Sequence, residues 1–240
     1  MSAKADRNNA AQIVSSRAVA IRSFINRARS LSRTERAAAE QQLRRAIVLA
    51  VAAGLHRLEA SMRHELGCNL RRSPAAANGD EALRELKRAL ELRIELGDVR
   101  GQCKGLIELG TDSFQRSDLA SAVPYLHEAE RLCKLTGSLP DLATVYEHSA
   151  GVYGTAGDGK AALEYAILHF EAATRLGDAQ QLVHALDGLG CTESELGLHD
   201  EAQRHLESAL AEAPPNRRCR STNVHAGYDS RRSRRRAGQR

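Results

Sequence analysis

The chain is predicted to be all-helical, an α-solenoid built of antiparallel helix pairs. Three recurring markers and one missing pattern point to this. Leu96-Gly97-Asp98 returns as Thr136-Gly137-Ser138 and again as Leu176-Gly177-Asp178, 40 positions apart each time. Leu109-Gly110, Ser149-Ala150 and Leu189-Gly190 keep the same step, as do Ala122, Ala162 and Ala202. Three independent markers in one period define a repeat array. No long segment alternates apolar and polar residues at period two, so no strand is expected.

The elements follow in order. Residues 1–10 are polar and are read as a disordered N-terminus. From Ala11 to Leu31, Ile13, Val14, Ala18, Ile21, Ile25 and Ala28 recur at helical spacing. A second helix is expected from Thr34, as N-cap, to Ala53, with Gly54 stopping it. Leu43-Arg44-Arg45-Ala46-Ile47 resembles Leu86-Lys87-Arg88-Ala89-Leu90, so residues 11–54 read as a degenerate first unit. Four more units are expected at 55–97, 98–137, 138–177 and 178–213.

Their helices are placed at Arg57–Arg71 and Asp80–Leu96, Val99–Gln115 and Leu119–Leu135, Asp141–Tyr153 and Lys160–Leu176, and Ala179–Leu196 and Asp200–Ala213. Leu66-Gly67 precedes Leu109-Gly110 by 43 residues, whereas Ala82 precedes Ala122 by 40, which puts a three-residue insertion in the turn 72–79. Gly97, Gly137 and Gly177 stand where helix ends need left-handed residues, and Asp98, Asp141 and Asp178 are expected caps for the helices that follow. After Pro214-Pro215 the period predicts another Leu-Gly-Asp, and Asn216-Arg217-Arg218 stands there instead, so residues 214–240 are read as a disordered tail.

Composition narrows the function classes. The formal charge is +5, but residues 214–240 hold nine arginines against the single Asp229, leaving the first 213 residues at −3. The Arg-rich tail with one aromatic, Tyr228, is read as solvated rather than as a nucleic-acid site, since charge alone gives only non-specific attraction. The longest apolar run, Ala46 to Leu55, is far short of the ~20 residues of a membrane span. Five cysteines at wide spacing, with no C-x-x-C and no secretory signal, fit reduced thiols in the cytoplasm.

The markers resemble the tetratricopeptide repeat, which packs two antiparallel helices per unit. Leu66-Gly67, Leu109-Gly110 and Leu189-Gly190 match its Leu-Gly pair. Ala82, Ala122, Ala162 and Ala202 match its first small position, Ala89, Ala129 and Ala209 its second, and Leu86, Leu126 and Leu206 the large residue between them. Unit 138–177 departs from the pattern, with Ser149-Ala150 for Leu-Gly and His169 for the second small residue, and looser packing is expected there. The resemblance implies a right-handed superhelix. The roughly 40-residue unit is similar to the variety found in bacterial signalling and transcription regulators and in scaffolds of the cell cortex.

Candidate chemistry is sparse. Gly154-Thr155-Ala156-Gly157-Asp158-Gly159-Lys160-Ala161 lacks the final hydroxyl of a phosphate-binding P-loop and follows a helix instead of a strand, so it reads as a turn. His64 and Cys68 at i, i+4 suit zinc, yet no third ligand is identifiable, and no metal or other cofactor is expected. His56, His127, His199 and His205 are assigned to solvated faces. No catalytic constellation is found.

By the resemblance, the first helices line a concave groove that takes a protein or peptide. Its candidate residues are His64 and Arg71; Lys104, Ile107, Glu108 and Thr111; Glu147 and His148; and His184 and Asp187. Only Arg71 and Lys104 are cationic, which departs from the carboxylate-clamp lining and suits a polar or basic ligand. Self-association through Leu206 and Leu210 on the last helix is a further expectation. Two alternatives stay open: a regulatory fragment of a multidomain enzyme, such as a nucleotide cyclase, or of a transcription regulator, and a weak nucleic-acid binder acting through the tail.

Overall fold

In the computed structural model, residues 35–72 and 78–212 are described, together with Val19 and Ser23. The expected helix Ala11–Leu31, the N-cap Thr34, residues 73–77 of the predicted turn, and the tail lie outside them, apart from Val19 and Ser23. The described residues form helices α1 (Arg36–Ala52), α2 (His56–Arg71), α3 (Asn78–Glu95), α4 (Val99–Gln115), α5 (Leu119–Thr136), α6 (Leu139–Ala156), α7 (Gly159–Leu176), α8 (Ala179–Glu195) and α9 (His199–Glu212), with no strand among them. The chain divides at Ser138 into two compact units, α1–α5 and α6–α9.

The connections are short and share one chemistry. Gly97, Ser117, Gly137, Gly157, Gly177 and Gly197 all have positive φ and stand 20 residues apart. The backbone N–H of the next residue reaches back five residues in most of these turns: Asp98 to Arg93 at 2.9 Å, Asp118 to Ser113 at 2.9 Å and Asp158 to Tyr153 at 3.0 Å. That closes the helix end as a Schellman motif and satisfies a carbonyl that would otherwise lack a partner. The aspartate that follows then caps the next helix: Asp98 accepts from Gly101 N–H at 3.0 Å, Asp118 from Ser121 at 3.1 Å, Asp158 from Ala161 at 3.1 Å and Asp178 from Gln180 at 2.8 Å. Asp141 is not a cap, because α6 begins two residues earlier and holds it in the first turn. Asn78 and Gly79 belong to α3, so the predicted turn ends sooner than expected.

The core of the first unit begins with α1 against α2, where Leu43, Ala46 and Ala50 meet Met62, Leu66 and Leu70 with almost no exposure. Leu86 and Leu109 continue it between α3 and α4. Small residues set the helix spacing. A Cβ built on Gly67 would lie 2.6 Å from Leu86 Cγ, and one on Gly110 would lie 2.9 Å from Leu126 Cγ. The leucine knobs therefore seat directly on glycine backbone, and a larger residue would force the helices apart.

Ion pairs bridge helices of this unit. Arg63 joins Glu59 and Glu85, each at 2.8 Å, and Arg116 joins Asp112 at 2.8 Å and Asp80 at 3.2 Å. Pro124, inside α5, is exposed and lacks the N–H that would bond the Ala120 carbonyl one turn earlier. Cys103 on α4 and Cys133 on α5 are joined in a disulfide with Cα atoms 6.1 Å apart, which corrects the expectation of five reduced thiols.

The second unit repeats the scheme with different residues. Tyr165 of α7 stacks on Tyr153 at 5.4 Å between centroids and tilts against Tyr146 at 6.1 Å. Gly190 of α8 lies under Leu206 of α9, where a Cβ would meet Leu206 Cγ at 2.7 Å. Leu206 thus packs inward, and of the two leucines expected to face outward only Leu210 is exposed.

Candidate peptide-binding faces

In the first unit the candidate residues come from α2 and α4, and they differ sharply in what they present. Lys104 is exposed, while His64, Arg71 and Glu108 are half-buried. Ile107 and Thr111 are buried, and the Thr111 hydroxyl donates to the Ile107 carbonyl at 2.7 Å. These two belong to the core rather than to a lining. The spacing puts them near the right face, but packing against the neighbouring helices turns them inward.

Arg71 does not stand as an independent cation. Its guanidinium donates to a carboxylate oxygen of Glu108 across the two helices, so the pair is close to neutral toward a ligand. His64 sits between two groups: its Nε2 is 3.8 Å from Cys68 Sγ, and Arg93 Nη1 lies 3.2 Å from its Nδ1. Arg93 also donates to the Gly101 carbonyl at 2.9 Å, and burial lowers its pKa. Burial pushes the Cys68 thiol up to about 12, with the Glu108 carboxylate adding to the effect. A metal-ligand trio therefore exists after all: Glu108 joins His64 and Cys68, with one ligand atom of each lying within 4.8 Å of the others. Sequence spacing hid it, because the third donor arrives from the following helix pair.

The second unit places Glu147 and His148 on α6 and His184 and Asp187 on α8. Glu147 and His184 are exposed, and His148 and Asp187 are half-buried. Behind them His169 of α7 is buried, and burial lowers its pKa. Glu147 opposes that shift and His184 and His148 add to it, so three of the four candidates are within electrostatic reach of one buried imidazole. His169 Nε2 and the Ser149 hydroxyl have no hydrogen-bond partner among the described residues. Cys191, on the same face as Asp187, is pushed up to about 11 by burial and by the Asp187 and Glu195 carboxylates.

The remaining motifs resolve into structure. The P-loop-like stretch is the α6–α7 turn, with Gly157 at φ 86° and Asp158 occupied as the cap of α7. His205 is not simply solvated: its Nδ1 lies 2.7 Å from the buried Glu193 carboxylate, and its ring tilts against Phe170. No helix among the described residues is long and apolar enough to cross a membrane.

Comparison with known proteins agrees with this architecture. Residues 141–211 match the family model of the tetratricopeptide repeat. No curated protein matches the chain. Among solved structures, BtubC (BKLC) from P. vanneervenii is similar at TM-score 0.55 and 15% identity, over 85% of this chain and 90% of that one. A P. anserina protein described as a putative kinesin light chain with nearly identical TPR-like repeats is similar at TM-score 0.63 and 16% identity, over 80% and 94%. A single-substitution form of that protein is similar at TM-score 0.65 and 16% identity, over 80% and 93%. These likenesses concern the fold. The family match covers residues 141–211, and the fold of the described helix pairs, with their Leu-Gly crossings, is that of tetratricopeptide-like repeats.

Proposed function

We propose that the chain is a non-enzymatic scaffold that binds a polar or basic segment of a partner protein against the exposed faces of its first helices. The observation that carries this reading is the second unit's face, where Glu147 and Asp187 flank His148 and His184 on neighbouring first helices. Carboxylates at such a rim attract cationic side chains and set orientation more than raw affinity. The first unit adds only Lys104 as an exposed charge among the candidates, since Arg71 and Glu108 satisfy each other. Bacterial signalling or regulation is the setting to which the resemblance points.

The test is a panel of labelled peptides graded from basic to acidic, titrated against the full chain. Basic peptides are expected to bind best. Glu147→Lys with Asp187→Lys should weaken them about tenfold, in line with ~0.5–1 kcal/mol for each exposed charge contact. Equal affinity across the panel, or no loss in the double variant, overturns the assignment of this face. Glu108 is left unchanged, because reversing it would set a cation against Arg71 and disturb the fold.

A further inference from the structure

Three donors of a soft-metal set converge in the first unit. His64 and Cys68 are four residues apart on α2 and so share a face, and Glu108 reaches them from α4. His64 Nε2 and Cys68 Sγ are 3.8 Å apart. Zinc bonds of ~2.3 Å to sulfur and ~2.0 Å to nitrogen at a tetrahedral angle separate those two atoms by about 3.5 Å. Two ligands thus already stand close to the spacing that the ion demands. We propose that His64 Nε2, Cys68 Sγ and a carboxylate oxygen of Glu108 bind a zinc ion, with water as the fourth ligand.

The repeat itself does not require these donors. Cys191 occupies the same repeat position as Cys68, with Asp187 in the place of His64, yet no comparable trio forms around Cys191 among the described residues. At the corresponding positions the other two units carry Ile107 with Thr111, and Glu147 with Gly151. The set is particular to α2 and α4. Cys68 is buried, while His64 and Glu108 are half-buried, which leaves an approach from the solvent side.

The protons balance: binding releases the Cys68 thiol proton to solvent, and the resulting thiolate and the Glu108 carboxylate set two negative charges against the divalent ion. Arg71 holds one Glu108 oxygen and leaves the other for the metal, an outer-shell contact that orients the ligand. Arg93 acts in the opposite sense. A guanidinium only donates, so its contact with Nδ1 keeps the ring proton on Nε2. Ligation needs that proton moved to Nδ1, with Arg93 retaining its bond to the Gly101 carbonyl. Arg93 is therefore a competitor of the ion, and replacing it with an acceptor should favour binding.

The proposal is independent of peptide binding. Co2+ is the probe, because thiolate ligation gives it an intense near-ultraviolet charge-transfer band. The full chain should take up one equivalent, show the band, and lose it on addition of Zn2+. Cys68→Ser should abolish the band and Cys191→Ser should keep it. His64→Ala and Glu108→Gln should each weaken affinity at least about tenfold. Arg93→Gln, whose carbonyl accepts from Nδ1–H, should tighten it. Thermal unfolding serves as the check on folding: Zn2+ should raise the Tm of the wild type and of Cys191→Ser and leave that of Cys68→Ser unchanged. Absence of a band in the wild type, or a band or Zn2+-induced Tm rise that survives in Cys68→Ser, overturns the site. Weaker binding in Arg93→Gln overturns the role given to His64.

Discussion

The α4–α5 and α6–α7 pairs are the same device built from different parts. In α4–α5, Gly110 lies directly beneath Leu126, while Leu109 and Ala129 are completely buried. In α6–α7, Ala150 stands for Gly110 and Ala166 for Leu126, so the larger residue on one helix is matched by a smaller knob on the other. Tyr165, stacked on Tyr153, stands where α5 has Tyr125. Ser149 and His169 replace Leu109 and Ala129, and they bring two buried polar atoms without partners among the described residues. Both pairs keep a small residue at the crossing, whereas polar satisfaction is not preserved from one pair to the next.

The largest expected effect tests the fit at this crossing. A Cβ on Gly110 would meet Leu126 at 2.9 Å, and the Tyr125 Cβ at 3.5 Å limits any shift. Overpacking of this kind costs ~1–3 kcal/mol, and the better helix propensity of alanine offsets about 1 of it. Gly110→Ala should therefore destabilise the protein by up to about 2 kcal/mol in denaturant unfolding. In a Leu126→Ala background, which copies the pairing of Ala150 with Ala166, the same change should be neutral or stabilising, a coupling of about 2 kcal/mol. An equal cost in both backgrounds would break the comparison.

A smaller effect concerns the turns. Ser117 and Gly157 occupy the same place, and Ser117 takes φ 63° with a side chain attached. Among the described residues it is the one non-glycine in this region. The left-handed conformation costs an ordinary residue ~1–2 kcal/mol, and glycine recovers this less the entropy it loses on folding. Ser117→Gly should stabilise the chain by about 0.5–1 kcal/mol, and Gly157→Ser should do the reverse. Equal and negligible changes would show that the two turns tolerate either residue.

The helices were legible because glycine and leucine recur with a fixed step, and because a helix end and a helix crossing each demand particular residues. The 20-residue step of the turns was less so: Ser117 hides one of them, and the caps Asp118 and Asp158 follow only once Ser117 and Gly157 are seen as equivalents of Gly97. The candidate faces were legible only as positions. Nothing in local spacing reveals that Arg71 is consumed by Glu108, that Ile107 and Thr111 turn inward, or that Glu108 completes a trio with His64 and Cys68. Those facts depend on contacts between helices some 40 residues apart in sequence, where the repeat fixes proximity but not partnership.

The smallest effect concerns the polar penalty in α6–α7, where the sign is the point. Burial depresses the His169 pKa, so the folded state resists a proton that the unfolded chain accepts at about 6.5. Proton linkage then gives a stability contribution that is fully present above about pH 6.5 and is lost as the pH falls toward the folded value. Glu147 works against this shift, while His148 and His184 work with it. The Tm should therefore decline between neutral and mildly acidic pH. His169→Leu, which removes the unpartnered Nε2 at similar bulk, should flatten that decline, whereas the exposed His127, changed in the same way, should not. A decline of the same steepness in His169→Leu would mean that the buried imidazole carries no proton penalty and that the departure from Ala129 is one of volume alone.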